Sequence, residues 1–230
     1  MLSNLGNSLL FLNILLSITI IYFSFQNLNN GDKLISKNIY HFCVFQSTLI
    51  IICFFTLITA FVVSDFTLIT VYQHSHSLKP IFYKISGTWG NHEGSLLLWI
   101  IILIIFSFLF LLYNKSHPKN YRIYTLIIQN ILIIGFLFFL LFNSNPFSVI
   151  SPEPKEGLGL NPILQDPALA IHPPLLYIGF VGSSIYFSAA IASLLTGYAN
   201  NSFAKSIKNW VLLSWCFQPI GILAGSIWAY

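Results

Sequence analysis

Residues 95–114, SLLLWIIILIIFSFLFLLYN, form a run that contains no Asp, Glu, Lys or Arg. About 20 apolar residues in an α-helix span the roughly 30 Å hydrocarbon core of a bilayer. Because lipid offers the backbone no hydrogen-bond partners, such a run must satisfy its own amides and carbonyls, as an α-helix does. The stretch therefore predicts a membrane-spanning helix.

The rest of the chain repeats this pattern. Hydrophobic residues make up 56% of the 230 positions and charged residues 7%, against about 25% charged residues in ordinary soluble domains. Six charge-free stretches are each long enough to cross a bilayer, so a soluble fold is excluded. We predict an all-α polytopic membrane protein, a single domain over 1–230, with six spans at 8–26, 42–63, 95–113, 123–142, 174–196 and 210–229.

The basic residues predict the orientation of these spans. Seven of the ten follow spans one, three and five, at Lys33, Lys37, Lys115, Lys119, Arg122, Lys205 and Lys208. The positive-inside rule assigns those connections to the cytoplasm or matrix, which puts both termini on the outer face. Since the basic residues do not cluster into one patch, the expected surroundings are a lipid bilayer and no nucleic-acid partner is expected.

The two long outer loops, 64–94 and 143–173, hold four of the six histidines and are the expected place for chemistry. In the first loop, LKPIFYKIS at 78–86 has apolar residues at helical spacing, which predicts a short helix lying in the membrane interface, with an irregular loop as the alternative. The second loop and the first residue of span five together hold seven of the ten prolines, which predicts a pre-shaped cover rather than a disordered linker.

His172 is the leading candidate for chemistry. Asp166 and Pro167 have the pattern of a helix cap and first helical position, and Pro173–Pro174 predict a break before span five. His172 is then expected at the mouth of a helix, where the dipole disfavours a protonated ring and leaves a nitrogen free for metal. It could be an axial ligand of haem iron; a capping or loop-bracing role is the alternative.

A second candidate lies in GTWGNHEGSLLLW at 87–99. Trp89, His92 and Glu93 are candidate cofactor-binding residues there. A catalytic His92–Glu93 pair is one possibility, and the alternative is that Glu93 and Ser95 are capping and dipole partners at a helix start. The close spacing of Gly90 and Gly94 indicates a tight turn or a close approach.

Weaker signals come from the remaining polar and small residues. His74 and His76 could bind a metal together, but no third ligand lies near them in the sequence and zinc sites use at least three protein ligands. The cysteines form no CxxC pair and are expected to be small buried side chains, Cys43, Cys53 and Cys216. Gly179 with Ser183, and Gly221 with Gly225, predict close helix contact. Tryptophan and tyrosine at the ends of span six, at Trp210, Trp228 and Tyr230, are expected to be interfacial anchors.

Several segments together resemble the amino-terminal half of CcmF, the cytochrome c haem lyase of the System I maturation pathway. They are NLGNSLL at 4–10, FVVSDFTL at 61–68, GTWGNHEGSLLLW at 87–99, SNPF at 144–147, LNPILQDPALAIHPPLLYIGFVG at 160–182 and LAGSIWAY at 223–230. WGNHEGSLLLW and LQDPALAIHPPLLY are the specific ones, and the order and spacing match the family over essentially the whole chain.

The resemblance implies that haem, b-type in transit, is received from a haem chaperone and joined by thioether bonds to an apocytochrome c. The histidine of the HPPLLY motif, one of the family's two outer-face haem ligands, corresponds to His172. In the family, IWAY leads into a tryptophan-rich WWD segment and further haem-ligating helices, which this chain does not carry. We therefore expect a subunit that is not competent alone.

Two interpretations follow from the resemblance. One is a split mitochondrial form in the inner membrane, whose haem site is shared with a second CcmF-like chain carrying the WWD segment; a bacterial inner membrane is the alternative location. The other is a non-catalytic structural subunit of a larger respiratory or maturation complex. A channel or transporter ranks below both, because ionisable residues are almost absent from the spans.

Overall fold

The computed structural model describes residues 1–29, 34–159, 161 and 165–229. Of the residues and stretches named above, Lys33, Leu160, Pro162, Ile163, Leu164 and Tyr230 lie outside this part. The described residues contain eight α-helices and no β-strand: α1 (Leu2–Asn29), α2 (Lys37–Val63), α3 (Ile69–His74), α4 (Ile81–Gly87), α5 (His92–Tyr113), α6 (Lys119–Asn143), α7 (Pro167–Thr196) and α8 (Asn201–Ala229). Six of them, all but α3 and α4, are long and apolar enough to cross a membrane. The predicted fold class is confirmed, while the side on which the termini lie stays a prediction.

The helices extend beyond the predicted spans because polar residues continue the helix outside the apolar core. The largest differences are in α7, which begins at Pro167 rather than 174, and α8, which begins at Asn201 rather than 210. The predicted break at His172–Pro174 is wrong. α7 is continuous through both prolines behind the Asp166 cap, whose Oδ1 accepts the Ala168 amide at 2.7 Å.

α5 is the central helix of the bundle and packs against α2, α6 and α7. Its residues, including Leu97 and Ile100, are the most buried of any span. α1 packs on α2 and α6, while α7 pairs most extensively with α8, the least buried span.

Glycines allow α7 and α8 to approach to backbone contact. A Cβ at Gly179 would lie 2.5 Å from the Gln218 nitrogen, and one at Gly221 would lie 2.7 Å from the Leu176 Cα. The close contact predicted from these small residues is confirmed.

Buried polar side chains join helices inside the bundle. The Gln46 amide of α2 donates to Ser17 Oγ of α1 at 2.6 Å and lies 3.4 Å from Asn130 Oδ1 of α6. Gln129 of α6 donates to Ser184 of α7 at 2.9 Å, and Ser188 donates back to it at 2.7 Å. Hydrogen bonds of this kind tie apolar helices together where packing alone is not directional.

The two long loops pack on each other and on α1. Leu68 and Val149 form an antiparallel bridge. Phe147 is fully buried against Gly6, and its carbonyl accepts from Ser3 Oγ at 2.7 Å. A Cβ at Gly6 would lie 2.3 Å from the Phe147 ring, so glycine is required there. The described part of the second loop is thus a shaped cover, as predicted.

Three further expectations have definite outcomes. The LKPIFYKIS segment does form a short helix, α4. Trp210 is buried against Phe106 and Phe110 in the core, so its assignment as an interfacial anchor is wrong. Cys43 and Cys53 are buried as predicted, whereas Cys216 is exposed.

Candidate functional site

The candidate site lies at the end of the bundle where α5 and α7 begin. His172 is the sixth residue of α7 and is half-buried. Since the helix dipole acts mainly within the first turn, the predicted dipole argument for a neutral ring does not apply at this depth. The hydrogen bonding of the ring supplies a different argument.

The His172 ring faces α8. Its Nδ1 lies 2.6 Å from the carbonyl oxygen of Gly221. A carbonyl oxygen only accepts hydrogen bonds, so Nδ1 carries the proton and a neutral ring keeps its lone pair on Nε2. An Nδ1–H bond to a backbone carbonyl is the usual way in which proteins orient a metal-binding histidine.

Gly225 gives the ring its space. A Cβ at this position would lie 2.7 Å from His172 Cε1 and 3.2 Å from Nε2. Any side chain at 225 would therefore press on the ring at Cε1, between its two nitrogens. The Gly221 carbonyl is the hydrogen-bond acceptor of the His172 ring, and Gly225 leaves space for the ring to pack against α8.

Trp89 stabilises α7 through a hydrogen bond to its backbone. Pro174 has no amide to donate to the carbonyl of Ala170, four residues earlier, and this carbonyl instead accepts from the indole nitrogen of Trp89 at 2.9 Å. The Trp89 ring also stacks on Phe54, with centroids 6.3 Å apart. Trp89 therefore positions the helix that carries His172.

An outward-opening cleft of about 280 Å³ separates the start of α5 from α7. Its lining residues are Trp89, Gly90, Asn91, His92, Ser95, Pro173 and Tyr177. His92 is exposed in it, whereas His172 is not among its lining residues. The structure thus brings His92 and Trp89 to one cleft, and it directs His172 to α8 instead.

Asn91 is a residue that the sequence analysis missed. Its Oδ1 accepts the Gly94 amide at 2.7 Å and its Nδ2 donates to the Gly87 carbonyl at 2.7 Å, so it caps α5 and closes the preceding turn. The cap is Asn91 and not Ser95, whose Oγ donates to the His92 carbonyl, while Glu93 lies in the first turn of α5, where a dipole partner is expected. The available signal was an Asn shortly ahead of the apolar run that begins at Leu96, with an acid two residues after it.

Gly94 must be glycine for the same turn to form. A Cβ there would lie 1.6 Å from the Thr88 carbonyl oxygen, whereas one at Gly90 would meet ordinary contacts no closer than 3.4 Å. The predicted close approach is therefore found at Gly94.

A buried lysine lies beneath this region. Lys79 is 9% exposed and donates to the His74 carbonyl at 3.1 Å. Burial, and then the neighbouring Lys84 charge, lower the pKa of Lys79 to about 8. Burial also lowers the pKa of His74, Glu93 opposes this shift, and Lys79 adds to it. Glu93 is thus near enough to act electrostatically on His74.

His74 and His76 do not form a metal clip. His76 Nδ1 lies 3.9 Å from a Glu156 oxygen and accepts the Leu78 amide at 3.2 Å. In the part of the chain that the structure describes, no group of three or more His, Cys, Asp or Glu could hold a metal ion. The chemistry available at this end is one oriented imidazole, His172, beside a cleft that exposes another, His92.

Comparisons with known proteins agree on one family. The family model described as "Cytochrome C assembly protein" matches residues 89–230. The chain is 40% identical to cytochrome c-type biogenesis protein CcmF of Escherichia coli over 233 residues, covering 100% of this chain and 36% of CcmF. It is 47% identical to CycK of Rhizobium meliloti over 182 residues, 79% of this chain and 27% of CycK.

A solved structure, "Cytochrome c Heme Lyase CcmF", has the same fold. The TM-score is 0.83 at 22% identity, and the match covers 100% of this chain and 36% of the solved one. The chain therefore spans roughly a third of the length of the curated relatives and of the structure that it matches.

Proposed function

Because the chain belongs to the cytochrome c assembly protein family, we propose that it is a membrane component of cytochrome c maturation that presents His172 to haem. Haem is the substrate in transit, held at one membrane face while it is joined to an apocytochrome c. Of the described residues, His172 provides one axial ligand to its iron.

The observation that carries this proposal is the hydrogen bond from His172 Nδ1 to the Gly221 carbonyl. It fixes the neutral tautomer whose Nε2 lone pair can bind iron, and it fixes the plane of the ring. Gly225 leaves room beside the ring, and Trp89 holds the start of α7 in place. These residues supply binding and orientation, and thioether formation needs groups beyond them.

A bis-histidine haem site needs a second ligand, and we propose that it comes from family segments that this chain does not cover. The proposed source is a second CcmF-like chain that carries the WWD segment, with a haem chaperone as the donor and apocytochrome c as the acceptor. His92 and Glu93, beside the cleft at the same end, are proposed to contact the haem edge or its donor. A mitochondrial inner membrane is the proposed location, with a bacterial inner membrane as the alternative.

The same hydrogen bond also fits a second function, which we propose as the alternative, that of a non-catalytic structural subunit. The same His172–Gly221 hydrogen bond ties α7 to α8, and a purely structural histidine would make it too. In that case the half-buried ring braces the helix pair and never meets iron.

Replacing His172 by glycine in the purified assembly separates these two functions. We expect His172→Gly to lose the haem absorbance of the assembly, and added imidazole to restore it by filling the space left by the ring. The control is His41→Gly, an exposed histidine near the start of α2, which should keep its haem. Unchanged haem content in His172→Gly would remove His172 from the haem site.

Affinity capture of the chain from its native membrane tests whether it associates with the proposed second CcmF-like chain. Recovery of a membrane chain with the tryptophan-rich segment supports the shared haem site. Recovery of respiratory-complex subunits without such a chain favours the structural function.

A further inference from the structure

A second cleft lies at the opposite end of the bundle from His172. It has a volume of about 490 Å³ and separates the last turns of α5 from the first turns of α8. Its polar lining residues are Asn114, His117, Lys205, Ser206 and Asn209, and its apolar ones include Leu109, Trp210 and Leu213. The proposed function uses none of them.

The polar wall of this cleft is rigidly built. Asn114 and Ser206 are buried, and Ser206 Oγ donates to Asn114 Oδ1 at 2.8 Å. His117 Nδ1 lies 3.1 Å from the Tyr198 hydroxyl, which fixes that ring as well. Lys205 and Asn209 are exposed at the rim, where their donors are available to a ligand.

The electrostatics of this end favour an anion. The segments that border the cleft, residues 113–125 and 195–213, are all described and include Lys115, Lys119, Arg122, Lys205 and Lys208 but no Asp or Glu. Clefts lined by one sign of charge concentrate ligands of the opposite sign. A basic pocket between transmembrane helices is a common form of binding site for anionic lipid headgroups.

An apolar groove continues from the cleft along α5. It has a volume of about 270 Å³ and is lined by Leu98, Ile102, Ile105, Phe106, Pro174, Ile178 and Leu213. Leu213 lines both spaces, so they meet at this residue. From Tyr113 to Leu98 the helix axis covers about 22 Å, more than the roughly 15 Å depth of one leaflet.

We infer that this cleft and groove together bind one anionic phospholipid. The phosphate lies against Lys205, His117 and Asn209, and an acyl chain lies along α5 from Leu109 towards Leu98. The groove decides the class of ligand, because a free phosphate ion would gain nothing from an apolar channel that begins at the basic cleft. A lipid with one charged end and a long apolar tail matches both parts.

Native mass spectrometry of the purified chain in its assembly tests the inference, with phosphatidylglycerol and phosphatidylcholine as probes. We expect retention of phosphatidylglycerol over phosphatidylcholine and about fivefold weaker retention in Lys205→Gln, the effect of about 1 kcal/mol for one basic residue at an anionic lipid surface. Lys208→Gln is the matched control, since Lys208 is exposed on the same turn of α8 but does not line the cleft.

Leu213→Trp tests the groove separately by filling the point where it meets the cleft. We expect this variant to lose phosphatidylglycerol while its far-UV circular dichroism shows an unchanged helix content. Equal losses in Lys205→Gln and Lys208→Gln would overturn the inference in favour of non-specific attraction to basic residues. Full retention in Leu213→Trp, together with displacement of the lipid by inorganic phosphate, would overturn it in favour of a simple phosphate site.

Discussion

At the scale of single residues, Trp89 does for α7 what a backbone amide does elsewhere in a helix. Pro174 leaves the Ala170 carbonyl without its normal donor, and an indole 81 residues earlier in the chain supplies one. The rule that paired prolines end a helix failed here, and one of the two hydrogen bonds that they remove, the one to the Ala170 carbonyl, is replaced from another element. No local pattern around His172 could have indicated this.

We predict that Trp89→Phe loosens the start of α7 without removing the aromatic packing. Phenylalanine keeps a ring beside Phe54 but has no N–H, so the Ala170 carbonyl loses its donor. The expected cost is about 0.5–1.5 kcal/mol in the free energy of unfolding, the net contribution of one hydrogen bond. Hydrogen exchange of the amides in 167–172 should become faster than in the natural sequence.

The control for this substitution is Trp215→Phe, because Trp215 is 66% exposed on α8. It should leave exchange in 167–172 unchanged. Equal protection of that segment in Trp89→Phe and the natural sequence would mean that the indole hydrogen bond does not stabilise α7.

At the scale of elements, the sequence predicted the six spans well, because long apolar runs have few ways to satisfy their backbone except as helices. The Asp166 cap and the glycine contact of α7 with α8 were also readable, since both depend on local residue types. The direction in which the His172 ring points could not be predicted from the sequence. It depends on a carbonyl of α8, 49 residues away, whose position follows from helix packing.

We predict that alanine at Gly221 destabilises the α7–α8 pair, whereas alanine at Gly135 does not. A Cβ at 221 would meet backbone atoms of Leu176 at 2.7 Å, which cannot move as a flexible side chain could. Forced repacking of this kind costs about 1–3 kcal/mol, more than the roughly 1 kcal/mol that alanine gains over glycine inside a helix.

Gly135 in α6 has nothing within 4 Å of its Cβ position, so Gly135→Ala should keep that gain in helix propensity. Thermal unfolding in detergent should therefore move in opposite directions in the two variants. A rise in Tm for Gly221→Ala would show that α7 and α8 can separate at little cost.

At the scale of the whole molecule, stretches that lie far apart in the sequence contact one another in the fold. Two stretches of the family resemblance, NLGNSLL at 4–10 and SNPF at 144–147, contact each other, since the Asn145 amide donates to Asn7 Oδ1 at 2.8 Å and Phe147 packs on Gly6. The recognition of a CcmF-type chain is confirmed by its relatives. The contact between these two stretches gives a physical reason for their residue types, and it can be seen only in the folded chain.

Glu156 holds the second long loop to the first, and we predict that acid releases it. Glu156 accepts from the Ser77 hydroxyl at 2.5 Å, the Ser77 amide at 2.9 Å and the Gly157 amide at 3.0 Å. These hydrogen bonds, those to Ser77 first, lower the pKa of Glu156 to about 2 from its ordinary value near 4.5. Because the folded-state pKa is the lower one, the contribution is complete above about pH 4.5 and is lost as the pH falls towards 2.

Pepsin, which is active in this range, can measure the release through its cleavage near the exposed Leu158. In the natural sequence cleavage should increase as the pH falls from about 4.5 to 2, beyond the change in pepsin activity on a denatured control. Glu156→Gln cannot carry the negative charge, so its loop should be cleaved readily throughout this range. Glu153→Gln changes an exposed acid three residues away and should behave like the natural sequence. If Glu156→Gln and Glu153→Gln are cleaved alike at every pH, the contact with Ser77 does not hold the two loops together.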